Sequence, residues 1–116
     1  MNMETRKPNA NGVLEPSRRE VVASHNRAYA EVEIAMCEDG LYRIATGLRY
    51  SYGGFGGPIF EGSEGYPTYQ QAKEAGLKEL LRCWHTPFPS EPQHAHDELN
   101  AMRQRIEDQL RQPSLF

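Results

Sequence analysis

The sequence predicts a small α+β domain: a three-stranded antiparallel sheet, one helix packed on it, and a longer helix at the C-terminal end. Three observations carry this. Residues 29–52 alternate apolar and polar side chains around Asp39-Gly40. Residues 68–84 set Ala72, Ala75, Gly76, Leu80 and Trp84 at helical spacing. Residues 90–111 carry a second, narrower apolar stripe between charged side chains.

The chain has 116 residues, which suits one domain with a modest core. Residues 1–18 hold Pro8, Asn9, Asn11, Gly12 and Pro16 with few apolar partners, and read as a disordered leader. Residues 19–89 form the α+β body, opening on a short helix over residues 19–26. In the first strand, Ala30, Val32, Ile34 and Met36 share one face, and Tyr29, Glu31 and Glu33 the other. Asp39-Gly40 supplies the left-handed backbone that a tight hairpin needs. In the returning strand, Tyr42, Ile44, Thr46, Leu48 and Tyr50 face the core, and Arg43, Ala45, Gly47 and Arg49 face away. A glycine-rich break follows, and Ile59-Phe60-Glu61 makes a short third strand.

Thr68-Tyr69-Gln70-Gln71 fits a capping box and starts the first helix, and its small residues permit close approach to a sheet. Residues 90–111 form the second helix, opened by a similar box at Ser90-Glu91-Pro92-Gln93. Its seam of Ala95, Leu99, Met102, Ile106 and Leu110 is wide enough for one surface, either the sheet or a second copy in a weak homodimer. Pro113 stops the helix and biases Gln112 toward an extended backbone.

A net charge of −3 is not that of a chain built to coat nucleic acid. No segment is apolar enough to span a membrane or to serve as a secretory signal, so a cytoplasmic protein is expected. Its two cysteines, Cys37 and Cys83, then act as reduced, small apolar side chains.

The last five residues, Gln112-Pro113-Ser114-Leu115-Phe116, form a terminal interaction peptide. Two large apolar side chains at a chain end expose area for no folding reason unless they dock. The segment resembles the pentapeptide by which bacterial DNA polymerases and repair proteins grip the β sliding clamp. That pattern runs Gln, Leu, Ser or Asp, Leu, Phe. Gln112, Ser114, Leu115 and Phe116 match it, and Pro113 stands where the family has leucine. The resemblance implies that Gln112 hydrogen-bonds at the edge of the clamp pocket while Leu115 and Phe116 fill its apolar floor. It further implies a non-enzymatic adaptor or inhibitor in DNA replication, repair or mobile-element biology. Docking of Leu115 and Phe116 on this protein's own sheet is the competing reading.

Two other surfaces offer function. Arg43, Arg49, Tyr50, Tyr52 and Phe55 border a glycine-rich hairpin and suit a nucleic-acid-binding module. A phosphate-cradling loop is excluded there, because neither a lysine nor an immediate helix follows. Glu31, Glu33, Glu38 and Asp39 suit an acidic inhibitor that covers a basic protein surface. Cys83, His85, His94 and His96 are zinc-ligand types without a recognisable ligand spacing, so neither metal nor cofactor is expected. No catalytic constellation is visible: His25 has no acid or nucleophile nearby in sequence, and Cys37 lacks the cationic neighbour of a reactive thiolate.

Overall fold

The computed structural model describes residues 3–112. Its strands are β1 (Thr5–Arg6), β2 (Val13–Leu14), β3 (Arg18–His25), β4 (Ala28–Cys37), β5 (Tyr42–Tyr50), β6 (Gly53–Phe55) and β7 (Ile59–Phe60), and its helices are α1 (Tyr69–Arg82) and α2 (Gln93–Arg111). The class is α+β, but the sheet is larger than the expected three strands. β4 pairs antiparallel with β3 and β5, β5 pairs with β6, and β1 joins the end of β4 in parallel, giving a five-stranded sheet. The expected third strand exists as β7, but it pairs with β2 in a separate two-stranded ribbon.

Residues 19–26, read as a helix, are strand β3 as far as His25, with Asn26 in the turn that follows. A register shift between Val21 and Ala23 marks a β-bulge, which breaks the alternation that would have revealed the strand. Asn26, at φ 57, makes the turn into β4, a conformation asparagine tolerates. Residues 1–18, read as a leader without structure, supply β1 and β2. These pieces are two residues long, too short for any periodicity, and Ser17 stitches one of them in. Its hydroxyl donates to Glu4 O at 2.6 Å and accepts from Met36 N at 3.1 Å.

Several local expectations hold. Ala30, Val32 and Ile34 are fully buried beneath the helices, as the alternation requires. Gly40 sits at φ 83 in the hairpin between β4 and β5. Thr68 caps α1 by accepting from Gln71 N at 3.1 Å. The second capping box does not form: α2 starts after Pro92 with no side-chain cap, and Gln93 Nε2 instead donates to Asp97 at 2.9 Å. The seam of α2 faces the chain's own sheet, burying Ala95, Leu99, Met102 and Ile106 against Ala23, Ala28 and Leu80 in one cluster.

Both faces of β4 are covered. The helices take one face, and the β2–β7 ribbon lays Leu14 and Ile59 over Ala35 and Cys37 on the other. α1 comes closest at Gly76, where an added Cβ would stand 2.5 Å from Val32 Cγ1. Gly76→Ala is therefore expected to destabilise the fold by about 1–2 kcal/mol in urea unfolding, since overpacking outweighs the roughly 1 kcal/mol of helix propensity gained. Unchanged or higher stability would show that Val32 moves aside freely.

Candidate functional site

Sequence reasoning marked three surfaces, and their surroundings set what each can do. The first lies at the end of α2. Two polar side chains of the helix fasten its last turns to strand β3: Gln109 Nε2 donates to Val22 O at 2.7 Å, and Arg105 donates to Ser24 O. The helix then ends at Arg111. Gln112 is exposed and already extended, at φ −69 and ψ 132, as a residue before proline must be. Ser114, Leu115 and Phe116 lie outside the described residues.

The second surface is the arginine and tyrosine hairpin, whose five residues do not share a face. Arg43 is engaged at the far end of β5, donating to both Asp39 carboxylate oxygens at 3.2 and 3.0 Å and to Ser63 O at 3.0 Å. Tyr50 is 8% exposed and belongs to the core, and Phe55 packs beside it. Arg49 points to the opposite face of the sheet and is exposed, and Tyr52 is exposed in the turn. A nucleic acid on this hairpin would meet Arg49 and Tyr52.

What the hairpin does make is a half-buried polar junction with α2 and the loop before it. The Tyr50 hydroxyl lies 3.0 Å from His85 Nε2 and donates to Glu91 Oε1 at 2.8 Å. Next to it, the Glu98 carboxylate, only 4% exposed, accepts from Ser51 N at 3.0 Å and from Ser51 Oγ at 2.8 Å. A carboxylate holding two donors of a tight turn locks that turn to the helix. Gly54 closes the turn where no other residue fits, because an added Cβ would stand 2.0 Å from Leu48 O. Sequence reasoning missed Glu98. The only available signal was a carboxylate at helical spacing from Ala95 and Met102, on the buried side.

The third surface is acidic in sequence but neutralised in space. Arg19, across from Glu33 on β3, pairs with Glu31 at 3.4 Å and Glu33 at 3.5 Å, and it is the more exposed partner of each pair. Asp39 is held by Arg43, whose guanidinium keeps its carboxyl below the usual range, and Glu38 is 3.8 Å from Lys7. Each of the four acids therefore has a cation beside it.

The histidines and cysteines are placed apart. His85 serves Tyr50, the His94 ring lies 5.9 Å from that of Tyr52, and the Cys83 thiol donates to Glu79 at 3.5 Å. Desolvation and that carboxylate push the Cys83 thiol up, away from nucleophilic character. Cys37 and Cys83 are unbridged. Among the described residues, no cluster of three or more histidine, cysteine or acidic side chains could hold a metal ion, and no helix is long and apolar enough to cross a membrane. Comparison with protein-family models, curated proteins and solved structures gives no match for this chain.

Two outcomes test the junction. Glu98→Ala is expected to cost about 2–3 kcal/mol in urea unfolding, the usual loss when a charged acceptor is removed from buried donors. Burial, reinforced by Glu91, pushes the Tyr50 phenol up to about 12. A phenol raised in the folded state contributes stability that is present below its ordinary value of about 10 and is lost as pH climbs through the folded value. Stability should therefore fall between about pH 10 and 12. Tyr50→Phe should reduce that fall, while Tyr66 and Tyr69, shifted in the same direction, retain theirs.

Proposed function

We propose that this chain is a small, non-enzymatic, cytoplasmic adaptor that docks on a protein partner through residues 112–116. The bacterial β sliding clamp is the partner that the pentapeptide implies. The observation that carries the reading is the exit from α2. Its apolar seam is spent on the chain's own sheet, its last turns are pinned to β3, and Gln112 leaves extended and exposed. A recognition peptide that starts extended at a fixed point loses less entropy on binding. Pro113 adds to this by restricting the backbone on both sides of it.

The seam's burial favours a monomer as the acting species, with the body presenting the peptide and obstructing whatever else would approach the clamp. In this reading Leu115 and Phe116 are the anchors, and Gln112 fixes register at the pocket edge.

Titration of a bacterial sliding clamp with the full chain should give binding of roughly micromolar strength, about 8 kcal/mol. A version ending at Arg111 should lose it while keeping the same urea midpoint, since the seam of α2 and the cluster it joins lie entirely before residue 112. Leu115→Ala or Phe116→Ala should each weaken binding by about thirtyfold or more, as anchor residues do. Equal binding by the version ending at Arg111 would overturn the proposal.

A further inference from the structure

Strand β5 has a gap along its outer edge. Tyr42 exchanges two backbone hydrogen bonds with Tyr66, each 2.8 Å, so its N–H and C=O point away from β4. Alternation along an antiparallel strand turns the backbone groups of Ile44, Thr46 and Leu48 the same way. β6 meets β5 only from Leu48 onward. Between these two contacts, the N–H and C=O of Ile44 and Thr46 have no strand partner among the described residues. The chain cannot close the gap by continuing β6. After Phe55 it turns aside to build β7, where Ile59 is buried on the opposite face of the sheet.

A cavity of about 500 Å³ opens on this edge. Ala75 and Glu79 of α1 and Cys83 at its C-cap, each a turn apart, form one wall, and Gly56 and Gly57 form another. Nothing stands within 4 Å of where a Cβ would sit on either glycine. The cavity explains why Ile44 and Thr46 are only half-buried although alternation points them at α1. Its charge is one-sided: Glu64 and Glu79 line it, and among the described residues no lysine or arginine does. Glu79 is bound by Arg82, whereas among the described residues Glu64 accepts only the Tyr66 hydroxyl, at 3.2 Å.

We propose that this edge is a binding site for a short extended peptide segment of a partner protein, one that places an apolar side chain in the cavity and a lysine or arginine beside Glu64. An apolar small molecule would fill the space but bury the polar backbone groups of Ile44 and Thr46 unpaired, which is costly. A strand offers N–H and C=O at the matching repeat. The gap is closed at its ends by Tyr66 and Phe55, so it takes about three residues, given a rise of about 3.3 Å per residue. A short motif fits and a long strand does not. The lining residues run from Ile44 to Cys83, so a chain ending at Arg111 retains them, and together with residues 112–116 the site would let this protein bridge two partners.

A displayed library of random heptapeptides, panned against the full chain, tests this. Sequences with an apolar residue next to lysine or arginine should be enriched. When the best of them is added as a synthetic peptide, hydrogen exchange at the Ile44 and Thr46 amides should slow at least tenfold. Ala75→Phe, which fills the cavity, should lose the enrichment while keeping the wild-type amide spectrum elsewhere. Glu64→Lys, at the exposed rim, should shift the selected charge from basic to acidic. Enrichment equal on wild type and Ala75→Phe, no enrichment on wild type, or a selected peptide that leaves both amides unprotected would each overturn the proposal.

Discussion

Strand β4 is hydrogen-bonded along both edges and covered on both faces, and every other element takes its place from it. One edge carries β3 and then β1, and the other carries β5. Ala30, Val32 and Ile34 receive the helices, while Ala35 and Cys37 receive the β2–β7 ribbon. Tyr29, Glu31 and Glu33, beyond the reach of the ribbon, leave part of one face half-exposed, and the backbone groups of the strand are spent on its two neighbours. The short strands near the start of the chain are held by β4 rather than by any propensity of their own.

The helices meet this strand through two different kinds of contact. α1 comes close because Gly76 leaves room for Val32. Its first turn is tied to β3 by Glu20, which accepts the Tyr69 hydroxyl and pairs with Lys73 at 3.5 Å. α2 packs through an apolar seam, but polar contacts fix its angle: Glu98 on the Ser51 turn at one end, Arg105 and Gln109 on β3 carbonyls at the other. These contacts make α2 a rigid mount, and that rigidity gives meaning to an extended residue at its end.

The charged residues show how far sequence and surface can diverge. Glu31 and Glu33 look like an acidic face until Arg19 arrives from the neighbouring strand. Arg43 looks free to meet a phosphate until the hairpin turn brings Asp39 and the loop carbonyl of Ser63 to it. Arg19 and the Ser63 carbonyl come from chain segments that only folding brings near, while Asp39 lies four residues from Arg43 across the turn, and each changes what its surface can bind.

The α+β class, the two long strands, the hairpin at Gly40, the cap at Thr68 and the buried stripes of both helices were legible in the sequence. Each rests on a local period or a local backbone requirement. The sequence also holds the pentapeptide pattern at residues 112–116. Strand β3 was not legible, because a bulge between Val21 and Ala23 interrupts its alternation. Nor were β1 and β2, which are too short to have a period. The role of Glu98 and the gap beside Ile44 and Thr46 belong to the tertiary structure alone. A buried carboxylate is defined by the distant donors that reach it, and an open sheet edge by the strand that turns away. Both are relations between residues far apart in sequence, which no local pattern records.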